Sequence, residues 1–168
     1  MLKRIRNIIY FVGALMFLVS CIQKPFPLLE QNIVDLKNKG ICERVIGGNP
    51  LYWLLVNKSF NNVLFSEAGV SINKDEIVVA IHYQKYKNIK GFISKSDIEM
   101  YQKEFNSLDK YFSNLFNEEG KYTEETHGKT TFSQIIWDIR DYSVWLNMNF
   151  SNELNGSIEL QLSIFTDE

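Results

Sequence analysis

Cysteine and histidine are scarce in this chain, with two of each in 168 residues. His82 and His127 stand 45 residues apart, so neither belongs to a local metal motif such as H-E-x-x-H. Glu118-Glu119 and Glu124-Glu125 are acidic doublets, but a calcium loop would alternate Asp or Asn with a Gly and a distal Glu. Gly47-Gly48-Asn49-Pro50 lacks the spaced glycines and the Lys-Ser/Thr pair of a phosphate loop, and reads as a turn. No G-x-S-x-G is present to expose a serine nucleophile on a strained turn. The expectation is therefore a protein with no metal, no cofactor and no catalytic residue. A hydrolase whose carboxylates meet only in space is the enzymatic alternative that one sequence leaves open.

Long hydrophobic runs are missing as well. The longest stretch at the start without a charged or strongly polar side chain, Ile8–Val19, has 12 residues. At about 1.5 Å per residue it covers roughly 18 Å, against about 30 Å of bilayer hydrocarbon. It follows Lys3, Arg4 and Arg6, and a basic start before a short apolar run fits an export signal. Positive charge is lacking beyond that leader. With its three cations removed from 18, the remaining 15 face 20 anions, a net charge of −5. Such a domain has no electrostatic reason to bind phosphate backbones, and nucleic acid is excluded as a partner.

Leu18-Val19-Ser20-Cys21, placed after the basic start and the apolar run, resembles the lipobox of bacterial lipoproteins. The resemblance covers residues 1–21 and implies nothing about the domain behind them. It implies that Cys21 is lipidated and becomes the first residue of the mature protein. Residues 1–20 are then a signal peptide, 21–27 a lipidated Cys and tether, and 28–168 a single domain. A diacylated cysteine supplies the two chains that stable anchoring requires. By the enterobacterial analogy, Ile22 in place of Asp favours the periplasmic side of the outer membrane in an organism that has one. An uncleaved N-terminal helix, or a signal cut elsewhere, is the other reading of the same stretch. If Cys21 carries lipid, Cys42 has no partner and is buried and inert, bridged to another chain, or reactive.

The rest reads as α+β. Leu28, Leu29, Ile33 and Leu36 recur at helical spacing, and Gly40 can close a short helix over about Leu28–Lys39. Strands are expected at Leu51–Asn57, Asn62–Ser66 and Glu76–Tyr83. Ser96–Asn117 carries an apolar stripe of Ile98, Tyr101, Phe105, Leu108, Phe112 and Leu115, widened by Met100 and Phe116. Ser96 and Glu99 form a candidate capping box. Residues 118–130 read as a polar loop. Three strands follow with strict alternation: Ile135, Trp137 and Ile139; Tyr142 to Phe150; Ile158 to Ile164. Period-two patterning argues for antiparallel strands with one face on a core, and Asn155-Gly156 marks the last hairpin. Helix, strands, helix, strands suggests two halves, each a helix plus a three-strand meander. The long helix packs on a sheet in preference to forming a coiled-coil seam.

Trp145 is the residue that stands out, because alternation aims it away from the core. Asn147 and Asn149 share its face, as do Glu159 and Gln161 on the next strand. Aromatics among neutral polar groups are common at contact surfaces. The competing reading is that another part of the chain covers this face. Trp53 and Trp137 have apolar neighbours and read as core. The functional expectation is a non-catalytic binding module, anchored to a membrane through acyl chains and holding a protein or an envelope polymer. An inhibitor or immunity-type lipoprotein is one form of it. An envelope structural or assembly component is the alternative.

Overall fold

A computed structural model describes residues 25–45 and 48–166. The leader and Cys21 lie outside the described residues, so the lipidation reading rests on sequence alone. Among the described residues, two helices, α1 (Ile33–Asn38) and α2 (Lys95–Phe116), accompany ten strands. The strands are β1 (Cys42–Arg44), β2 (Tyr52–Leu55), β3 (Ser59–Phe60), β4 (Val63–Leu64), β5 (Glu67–Ile72), β6 (Val78–Asn88), β7 (Lys121–His127), β8 (Thr130–Ile139), β9 (Tyr142–Ser151) and β10 (Ser157–Thr166). The α+β class read from the sequence is the observed one.

Eight strands form one sheet in the order β1-β2-β5-β6-β10-β9-β8-β7, and β3 and β4 pair as a small separate hairpin. Each half of the chain is a helix followed by four strands of the large sheet, not three. The halves meet where β6 and β10 pair antiparallel from Asn88↔Ser157 to Ala80↔Phe165. In the first half the large sheet holds two strands outside those expected, β1 and β5, while Asn62–Ser66 falls in the small hairpin; β5 alternates Ala68, Val70 and Ile72, but over only six residues with a Gly and an Ala among them. The extra strand in the second half is β7, which occupies most of the expected loop. All seven of its residues are exposed, so neither face is apolar and no period-two signal marks it.

Alternation in β8, β9 and β10 buries Ile135, Trp137, Val144, Leu146, Met148, Ile158, Leu160, Leu162 and Ile164 on one face. Helix α2 lies across these strands and buries Tyr101, Phe105, Leu108 and Phe112 against them. Met100 and Leu115, expected on that stripe, are exposed. Two ion pairs hold the start of α2 to the long central strand: Lys85–Glu104 and Lys87–Asp97, each at 2.6 Å. Phe112 is the aromatic hub of this layer, with ring centroids of Phe60 at 5.6 Å, Phe116 at 6.0 Å and Trp137 at 5.3 Å.

The first helix is shorter than its apolar spacing implies. Glu30 and Ile33 donate their N–H groups to the carbonyls of Val78 and Glu76, and Val78 donates to Gln31, so this stretch pairs with the start of β6. Helix can begin only after Asn32, whose side chain accepts from the Val34 N–H at 2.8 Å. Leu29, Ile33 and Leu36 are nevertheless all buried. Phe26 is buried too, its ring 6.3 Å from Phe112 and 5.3 Å from Tyr142, which ties the incoming chain to α2 and to β9. The expected strand at Asn62–Ser66 shrinks to Val63–Leu64. The connection between β9 and β10 spans 152–156, so Asn155-Gly156 ends a longer loop and is not itself the turn.

Candidate functional site

Both helices and the β3–β4 hairpin place their buried side chains on one side of the sheet. Among the described residues, no helix or hairpin covers the other side. Strand register brings the alternate residues of neighbouring strands into rows across it. One row runs Gly69, His82, Ser163, Trp145, Ile136. The next runs Gln84, Gln161, Asn147, Gln134, Thr123. A third sets Glu159 opposite Asn149, and Asn149 opposite Phe132. Trp145, Asn147, Asn149, Glu159 and Gln161 thus share one surface. Trp145 is 42% exposed, so no other part of the described chain covers it.

Trp145 is braced from one side. The Phe165 ring meets it edge to face at 5.4 Å, and Phe165 in turn meets the His82 ring at 5.7 Å. An edge-to-face neighbour holds the indole in one orientation. Beside it, the amide row is partly tied together. Gln134 donates to the Asn147 side-chain carbonyl at 2.7 Å, and Gln161 donates to Glu159 at 2.8 Å. Gln84 donates to the same Glu159 oxygen. A shallow depression of about 310 Å³ lies here, with Thr123, Phe132, Gln134, Asn147, Asn149 and Gln161 among its lining.

At the centre of the sheet His82 is not solvated, although alternation sets it on the strand face opposite Ile81 and Tyr83. It is half-buried between two hydroxyls, Ser71 Oγ at 3.2 Å from Nε2 and Ser163 Oγ at 3.0 Å from Nδ1. Burial pushes its pKa down, so the imidazole is held neutral. A neutral ring donates from one nitrogen and accepts at the other, which matches two hydroxyl neighbours. Both neighbours are serines, and a Ser-His-Asp arrangement would need a carboxylate on one ring nitrogen. Tyr52 lies over Gly69 and donates to Glu67 at 3.3 Å. Burial, and secondarily Glu67, push its phenol up to about 12.

The sign of charge on this face follows from the same alternation. From β5 through β8, its outward positions hold Glu67, Glu159 and Asp138 but no Lys or Arg. The lysines of β6 point the other way, onto α2. Gln84, Phe165, Gln134 and Phe132 belong to the surface, although the sequence reading did not select them. Their signal was present in the alternation of β6, β8 and β10, but the strand order that joins them to Trp145 was not.

Other candidates are weaker. Cys42 is buried, and desolvation pushes its thiol pKa up, the opposite of a reactive thiolate. His127 is exposed and 3.0 Å from Glu125. No cluster among the described residues has the His, Cys, Asp and Glu composition of a metal centre. A groove of about 590 Å³ between α2 and β7 is polar, but Gln102 pairs with Asn106, Ser113 with Asp109 and Tyr122 with Glu124 within its walls. Trp137 is core, as expected, and Trp53 is partly buried against it. No protein-family model matches the chain, and neither does any curated protein or any solved structure.

Proposed function

We propose that this protein is a membrane-anchored, extracytoplasmic binding module that works through the open face of its sheet and breaks no bonds. The observation that carries this reading is the braced, exposed Trp145 beside a five-strand row of amides and hydroxyls. Such a face offers contact area and hydrogen bonds, and its serines beside His82 lack the carboxylate on the second ring nitrogen that a triad needs. Anchoring is supported by the basic start, the short apolar run and Leu18-Val19-Ser20-Cys21. It predicts a mature chain that begins at acylated Cys21.

Two measurements test the two parts. Palmitate labelling in the native host is expected to mark the wild type and to fail for Cys21→Ser; equal labelling sinks the anchor. Envelope extract passed over immobilised wild type, Trp145→Ala and Phe92→Ala tests the face. Phe92 is exposed but lies outside the sheet. The partner is expected to be retained by wild type and Phe92→Ala and lost by Trp145→Ala. The same recovery on all three removes the face from the function.

A further inference from the structure

We infer that the open face binds a neutral glycan chain, laid across the strands with one sugar ring on Trp145 and its hydroxyl or acetamido groups on the row Gln84, Gln161, Asn147 and Gln134. This inference rests on the proposed use of that face and names its ligand class. The argument begins with charge. The face from β5 to β8 has no cation and three carboxylates at scattered positions. Phosphates, acidic polysaccharides and anionic lipid heads would find one cation, Lys121 on the edge strand β7, and would meet Glu125 on that strand as well. A protein partner would need a desolvated apolar centre, whereas here the amide row separates Trp145 from the other exposed aromatics of the face, Phe132 and Tyr86.

Hydrogen-bond capacity points the same way. Each Asn or Gln side chain carries two donors and one acceptor. The bond from Gln134 to Asn147 uses one donor of the first and the carbonyl of the second. The Gln134 carbonyl and the Asn147 amino group are the ends that this bond does not use. Gln84 and Gln161 each give one donor to Glu159, so every amide of the row keeps polar atoms that these bonds do not use, at the strand spacing of about 4.8 Å over three spacings and roughly 14 Å. A hydroxyl both donates and accepts, and an acetamido group pairs with an amide through both of its polar atoms. A sugar chain can meet such a row of donors and acceptors at each strand, while a peptide backbone would seek a free strand edge, which this central row lacks. The indole supplies a flat apolar platform for the C–H side of a ring, and Phe165 fixes its orientation. The depression beside it keeps part of the row below the level of Trp145.

The test is calorimetric titration of the mature protein with cellohexaose and with chitohexaose, in about 0.05 M and about 0.5 M salt. At least one hexaose is expected to bind, with affinity unchanged by salt. Trp145→Ala should weaken it by about tenfold or more, and Gln134→Ala should weaken it less. Trp145→Phe should restore part of the loss, and circular dichroism of each variant confirms that the fold is intact. Failure of both hexaoses to bind overturns the inference, as does binding that Trp145→Ala leaves unchanged or that salt abolishes. If the hexaoses fail while a protein is retained from envelope extract only when Trp145 is present, the glycan falls and the open-face reading stands. If neither depends on Trp145, both fall. A Trp145-dependent dimer seen by sedimentation, with no hexaose binding, assigns the face to a second copy and overturns the glycan.

Discussion

The ring of Tyr52 lies against the backbone of Gly69, so closely that a Cβ at that glycine would stand 2.2 Å from the phenolic oxygen. Gly69 is therefore in β5 for space, and the same pairing lets Tyr52 reach Glu67 and roof the His82 cluster. Gly69→Ala must move the Tyr52 ring or bend β5. The expected cost is about 1–3 kcal/mol, read as a lower denaturant midpoint. In the background of Tyr52→Ala the same change should cost less, because the nearest obstacle is gone and only the Trp53 carbonyl, 2.9 Å from such a Cβ, remains. Equal costs in both backgrounds would mean that the glycine serves something else.

His82 makes stability depend on pH, with a sign set by burial. Its pKa in the fold lies below the ordinary histidine value of 6.5, because the charged ring is disfavoured between β5 and β10. The unfolded chain thus binds the proton more readily than the folded one. Stability is greatest above the unfolded value and falls as pH drops from 6.5 through the lowered folded value. Urea midpoints should decline over that interval in wild type and decline less in His82→Gln. The facing groups Ser71, Ser163, Tyr52 and Phe165 carry no charge there, and Glu67 contacts Tyr52. An unchanged slope in His82→Gln would place the acid sensitivity elsewhere.

The start of α2 separates two serines that the sequence could not rank. Ser96-x-x-Glu99 has the letters of a capping box, yet the helix begins at Lys95 and Ser94 is its cap. Ser94 Oγ accepts from the Asp97 N–H at 3.1 Å and donates to its carboxylate at 2.8 Å. Ser94→Ala should cost about 1 kcal/mol, while Ser96→Ala should be close to neutral. The reverse order in thermal or urea melts would restore the capping box at Ser96. Both positions are exposed, so neither change disturbs the core.

That pair shows which features were legible in the residues. The strict alternation of Val144, Leu146 and Met148 could only be a strand with one buried face, and Tyr101, Phe105, Leu108 and Phe112 could only be a helix stripe. Both patterns arise from contact with one core. Where no core contact marks the chain, the letters are silent. Lys121–His127 is exposed on both faces, so its strand exists only through pairing with β8. Ser94 and Ser96 differ only in where the chain arrives from β6. The candidate site divides likewise. Trp145, Asn147 and Asn149 follow from alternation within one strand. Gln134, Gln84 and Phe165 join them through strand order, a long-range fact that no local pattern encodes.

Strand order also leaves β7 at the edge of the sheet, with one side of its backbone unpaired. Such an edge is a template for another copy unless something blunts it. Here the blunting is charge: Lys121 and Glu125 on the open face, Glu124 on the other. An antiparallel self-pairing centred on Glu124 would set that carboxylate opposite its own copy, and like charges directly opposite are unfavourable. Glu124 also accepts from Tyr122 at 2.6 Å and from Ser133 at 3.1 Å, so replacing it would disturb the hairpin itself. The cleaner variant is Lys121→Thr with Glu125→Thr, which removes charge and raises strand propensity. Sedimentation velocity should show more self-association in the double variant than in wild type at equal concentration. High salt should raise the association of wild type by screening the same carboxylates. A double variant that sediments like wild type would mean that the twist of the β7–β8 hairpin, and not its charge, protects the edge.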